Sequence, residues 1–201
     1  MKLFLRIISY IFHPLLIPII GTLVYFRITP KYSSSTLESG NVLPIFILTV
    51  IIPIISYLIL HNIGVVKSVF APNLRERRYP LYINIILFLM ILYKVIPNNY
   101  TVELYFFFVG LIGASCASIV LLYFKFKSSL HMTGIASLFM YLVCLSVHFE
   151  RNITIALSIT MLTLGLVATS RIYLKAQNKA GLIVGLVVGL LSQLLTVKFW
   201  L

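Results

Sequence analysis

The chain contains no aspartate, and its four acidic residues are the glutamates at 38, 76, 103 and 150. Charged residues of both signs make up only 10% of the 201, against roughly 25% in an ordinary soluble domain. This scarcity of acids argues against a carboxylate-bound metal and against hydrolysis by a carboxylate pair. Cysteine is rarer still, with two residues. Cys116 and Cys144 both lie inside apolar runs, are read as buried small residues, and exclude a disulfide-stapled secreted module. No nucleic-acid module, metal site or cofactor motif is visible. What the chain has in abundance is apolar surface: 61% of residues and a mean hydropathy of +1.08. One soluble core cannot hide that much, so the remainder must face lipid.

A membrane-crossing helix needs roughly 20 apolar residues. Seven stretches qualify, near 7–26, 43–63, 81–97, 103–124, 131–149, 153–170 and 181–200. The expected fold is an all-α polytopic bundle of six to seven spans, forming one integral membrane domain over 1–201. Span 81–97 is the shortest. The first span follows Lys2 and Arg6 but lacks a cleavage site and runs too long for a signal peptide. His13-Pro14 and Pro18 should kink it, and Pro53 the second span. Gly181, Gly185 and Gly189 recur every fourth residue in the last span, which suits close helix packing in the bundle or a dimer contact.

The basic residues are unevenly shared between the two sets of loops. Lys2, Arg6, Lys67, Arg75, Arg77, Arg78, Lys125, Lys127, Arg171, Lys175 and Lys179, eleven of the 16, fall on the side of the N-terminus. The positive-inside rule makes that side cytoplasmic. Three polar segments also belong there: Lys67 to Pro80, Lys127-Ser128-Ser129-Leu130-His131, and Ser170-Arg171 with Lys175, Ala176 and Gln177. Two spans separate each from the next, so all three should reach one end of the bundle. Guanidinium, ammonium, hydroxyl and imidazole donors together suit a phosphate, which arginine grips with two parallel bonds. The competing reading is that these are ordinary charges of solvent-facing loops.

The same segments resemble the motifs of the type-2 phosphatidic acid phosphatase superfamily, related in fold to vanadium haloperoxidases. Glu76-Arg77-Arg78-Tyr79-Pro80 is similar to a diverged first motif. Ser128-Ser129-Leu130-His131 is similar to Pro-Ser-Gly-His, and Ser170-Arg171 to the opening of the third motif. The resemblance covers about 67–190. It implies a phosphate cradle of Arg77, Arg78, Ser129, Ser170 and Arg171, with His131 as the general acid for the leaving alkoxide. It also implies a nucleophilic histidine where this chain has Gln177, and an orienting aspartate where it has Gly181. A carboxamide is a poor nucleophile.

The expected function is therefore binding of a phosphorylated lipid headgroup, on a phospholipid or a polyprenyl phosphate. Any hydrolysis would be metal-independent cleavage of a phosphomonoester or diphosphate. The alternative is a catalytically inactive structural or lipid-binding subunit of a larger membrane complex, with other membrane subunits as partners. A transporter is disfavoured, because charges are nearly absent from the middle of the spans and no two-half repeat is seen. The resemblance points to a bacterial inner membrane, with the site often on its outer side, opposite to the charge count. His13, His61 and His148 are read as satisfied or interfacial.

Overall fold

The computed structural model describes residues 2–31, 35–66, 74, 76–96 and 100–201. Lys67 and Arg75 of the first polar segment lie outside the described residues. Among those described, the chain is helical throughout, without strands, and seven helical stretches are long and apolar enough to cross a membrane. They run Leu3–Ile28, Leu37–Asn62, Arg78–Val95, Val102–Tyr123, Leu130–His148, Thr154–Tyr173 and Lys179–Val197. The polytopic all-α architecture expected from hydropathy is present.

Proline shapes the first two spans. The first divides into α1 (Lys2–Ile11) and α2 (Ile17–Ile28), joined by a 3₁₀ turn at Pro14–Leu16. His13 is extended there (φ −69°, ψ 141°), as a residue before proline must be when the ring blocks the α conformation. α1 buries one stripe, Leu5, Ile8 and Ser9, against the C-terminal half of α8, while Leu3, Phe4, Ile7 and Tyr10 face outward. The second span passes from α3 (Ser35–Phe46) through a π turn at Ile47–Ile51 into α4 (Ile52–Asn62). Pro53 has no N–H to offer the Thr49 carbonyl, and the widened turn lies where that bond is missing.

α5 (Arg78–Met90) continues into a second π turn at Ile91–Val95, and α6 spans Val102–Tyr123. The centre of the bundle is α7 (Leu130–His148), packed against α9 (Lys179–Val197), α8 (Thr154–Tyr173), α6 and α2. The glycine stripe explains the closest of these contacts. A Cβ at Gly185 would lie 2.6 Å from the Ser129 carbonyl oxygen, and one at Gly189 would lie 2.8 Å from the Ala136 Cβ. The stripe therefore serves packing of α9 on α7 within the chain. Phe107 stacks on Tyr141 at 4.3 Å in the same core. Cys144 is buried as expected, but Cys116 is exposed. It shares the outer face of α6 with Gly113, Val120 and Tyr123, at helical spacing.

Candidate functional site

The described end of the first polar segment, Glu76 to Pro80, meets the other two segments at one end of the bundle, and the local backbone explains how. α6 and α8 end in residues with left-handed backbone, Lys125 (φ 59°) and Lys175 (φ 51°). These close the helices with bonds from Phe126 N to Leu121 O and from Ala176 N to Arg171 O. The connections that follow are short and tied together. Ser129 N donates to Gly181 O at 2.9 Å, and Gln177 Nε2 donates to Lys127 O at 2.5 Å. Asn178 caps α9 by accepting from Gly181 N at 2.8 Å.

Arg77, Lys127 and Arg171 converge here. Burial, and then the Arg171 charge, pushes Arg77 down to about 10. Lys127 is lowered by burial and by the charges of Arg77 and Arg171. Arginine keeps its proton in practice, so these shifts register a cost: three cations are held close, partly out of water. Arg171 Nη1 donates to the Ser9 hydroxyl at 3.1 Å, and its Nε is buried without a partner. A half-buried guanidinium bonded to a neutral hydroxyl is suited to an external anion. Among the described residues no group of three or more His, Cys, Asp or Glu could hold a metal ion.

The other residues of the expected cradle have local duties. Ser129 is buried and its hydroxyl accepts from Met132 N at 3.5 Å, capping α7. Ser170 is fully buried and donates to the Leu5 carbonyl at 2.7 Å. Arg78 turns away to α6, where it lies 4.2 Å over the Tyr123 ring and reaches Leu122 O at 3.4 Å. His131 does face the cluster. A carbonyl can only accept, so His131 Nε2 carries the proton it shares with Ser9 O at 3.2 Å. Gln177 stands beside Lys127 and Arg171, and Lys127, Lys175, Gln177 and Asn178 line an open depression of about 400 Å³. A Cβ at Gly181 would lie 2.5 Å from Lys127 O and would also meet the Gln177 amide. An aspartate at 181 therefore has no room.

Two residues were missed by reading the sequence. The His13 ring sits edge-on to His131 with centroids 5.2 Å apart, and His13 Nδ1 accepts from Leu15 N at 3.3 Å. Ser9 touches both Arg171 and His131. The available signal was His13-Pro14: the helix breaks there, and the segment before the break packs against the end of α8. Ser9 alone, inside an apolar run, carried no signal.

The opposite end of the bundle is built around Glu103. Its carboxylate takes Lys31 Nζ at 2.7 Å, Tyr25 OH at 3.0 Å and His148 Nε2 at 3.2 Å. His148 in turn packs edge-on against Trp200 at 5.2 Å.

Fold and site together define a class: an all-α, multi-pass membrane protein with a crowded basic cluster at one end and a paired carboxylate at the other. No known protein family, curated protein or solved structure matches the chain.

Proposed function

We propose that this protein binds the phosphate of a lipid headgroup, on a phospholipid or polyprenyl phosphate, at Arg77, Lys127 and Arg171. The observation that carries the reading is the crowding of these cations around an arginine whose hydrogen-bond partner is a hydroxyl. A phosphate would add negative charge among these crowded cations and offer enough oxygens for more than one guanidinium. His131 and His13 form the imidazole wall of the same site.

The resemblance to lipid phosphatases extends to Arg77, Ser170, Arg171 and His131 and stops short of the covalent step. Gln177 stands in the nucleophile's place with its amide committed to Lys127 O. This favours the second reading of a non-hydrolysing lipid-binding subunit over an active phosphatase.

The test is binding of nanodiscs containing phosphatidic acid or a polyprenyl phosphate, together with phosphate release. Wild type should bind, Arg171→Ala should lose affinity at least roughly tenfold, and wild type should release no phosphate. Binding that is indifferent to Arg171→Ala overturns the proposal. Phosphate release by wild type that disappears in His131→Ala would instead establish an enzyme with another nucleophile.

A further inference from the structure

Three donors of the site already have acceptors, and all the acceptors belong to α1. Ser170 Oγ donates to Leu5 O, Arg171 Nη1 to Ser9 Oγ, and His131 Nε2 to Ser9 O. The Ser9 carbonyl is available because α1 stops at Ile11. Phe12 N bonds to Ile8 O and His13 N to Tyr10 O, leaving Ser9 O among the orphan carbonyls of a helix end. Three oxygens of one short segment thus stand where the oxygens of a phosphate would stand. α1 is otherwise attached by a single buried stripe, Leu5 and Ile8, and by a break at His13–Leu16 that can act as its hinge.

We propose that α1 is a built-in strap whose Leu5 and Ser9 oxygens occupy the donors of Ser170, Arg171 and His131, so that a phosphate binds by displacing α1. The inference rests on the headgroup reading above and adds its regulation. Occupancy by α1 lowers the apparent affinity in proportion to the fraction of strap-bound molecules. Weakening the strap must therefore tighten phosphate binding, the reverse of what loss of an ordinary binding or structural residue does. The relevant chemistry is a phosphate dianion, which a lipid or free phosphate could each supply.

The experiment uses the full chain in nanodiscs of phosphatidylcholine with or without phosphatidic acid, and a separate arm with inorganic phosphate. Two variants loosen α1 differently: Ser9→Ala removes the acceptor of Arg171, and Ile8→Ala removes apolar packing without touching a polar group. Both are expected to bind phosphatidic acid about three- to tenfold more tightly than wild type. Spin labels at Phe4→Cys and Met161→Cys, both exposed positions, in a chain lacking Cys116 and Cys144, should report a changed distance when phosphatidic acid is present. If inorganic phosphate alone produces the change, the ligand is the free ion; if only the lipid does, it is the headgroup. Unchanged or weaker binding in both variants, with an unmoved spin-label distance and binding still dependent on Arg171, overturns the strap and leaves the headgroup site standing. No Arg171-dependent binding of either probe in wild type, Ser9→Ala or Ile8→Ala overturns both.

Discussion

The two ends of the bundle handle buried charge in opposite ways. At the Glu103 end one carboxylate, almost wholly out of water, receives a lysine, a tyrosine hydroxyl and an imidazole from three other elements. Every charge has its answer inside the chain. At the Arg171 end, three cations from three segments press on one another, and the arginine at the centre donates to a neutral serine. The first arrangement is that of a clamp, holding α2, α6 and α7 and the segment carrying Trp200 in register. In the second, like charges crowd one another, and an added anion would relieve them. A polar cluster built on opposite charges is read as structure, and one built on like charges is read as a site.

The largest effect expected from this contrast is on the clamp. Glu103→Ala leaves the buried Tyr25 hydroxyl and the Lys31 ammonium without their acceptor, and removal of one partner from a buried pair costs about 3 kcal/mol or more. Thermal unfolding in detergent should show a large drop in Tm, while affinity for phosphatidic acid in molecules still folded is unchanged. A loss of affinity with little loss of Tm would reverse the roles of the two ends. Next in size is Gly185→Ala, whose methyl would press on the Ser129 carbonyl at 2.6 Å. Backbone cannot yield as a flexible side chain does, so a cost of about 1–3 kcal/mol is expected. Because the strained carbonyl belongs to the N-cap residue of α7, two residues from His131, this variant should also weaken binding, which distinguishes it from the clamp mutant.

The number of spans, and the limits of the last five to within about three residues, were legible because the bilayer imposes one length and one polarity on each, whereas the first two begin earlier than expected, at Leu3 and Leu37. The convergence of the three polar segments followed from counting crossings alone. Less visible was anything that depends on which face of a helix points inward. Arg77 and Arg78 are adjacent and chemically identical, yet Arg77 feels the charge of Arg171 while Arg78, the first residue of α5, lies over the Tyr123 ring. Ser129 belongs to the expected cradle by type, but capping of α7 claims its hydroxyl, and the Ser170 hydroxyl is covered by the Leu5 carbonyl of α1. Glu103 passed as one loop charge among several, since its three partners come from residues 25, 31 and 148. The part played by α1 was hidden for the same reason: an apolar first span predicts a crossing, and only the geometry of its break shows that Ser9 reaches back to Arg171.

Lys127→Gln tests the crowded end directly. It relieves repulsion on Arg77 and Arg171, so stability without a ligand should hold to within about 0.5 kcal/mol or rise, while phosphatidic acid affinity falls several-fold. The pH dependence has a definite sign. The folded-state value of Lys127 lies below its ordinary 10.5, because burial and two arginines oppose its charge. The resulting penalty is fully present below that lowered value and is lifted as pH rises towards 10.5, where the unfolded chain binds more protons than the folded one. Ligand-free Tm measured from pH 8 to 10 should therefore fall less steeply in wild type than in Lys127→Gln, and equal slopes would remove Lys127 from the crowded set.

The smallest effect is expected one residue from the cluster, and it sharpens the comparison most. Arg78 lies over the Tyr123 ring and reaches the end of α6, with no described contact to Arg171 or Lys127. Arg78→Gln should therefore change phosphatidic acid affinity less than about twofold, whereas Arg77→Gln should lower it about tenfold. Net charge at this face changes equally in the two variants, so attraction between a basic surface and an anionic bilayer predicts equal losses. Binding isotherms for the pair at one ionic strength separate these cases. Equal losses would mean that the basic end acts as a diffuse surface charge, and unequal losses that it acts through the geometry around Arg171.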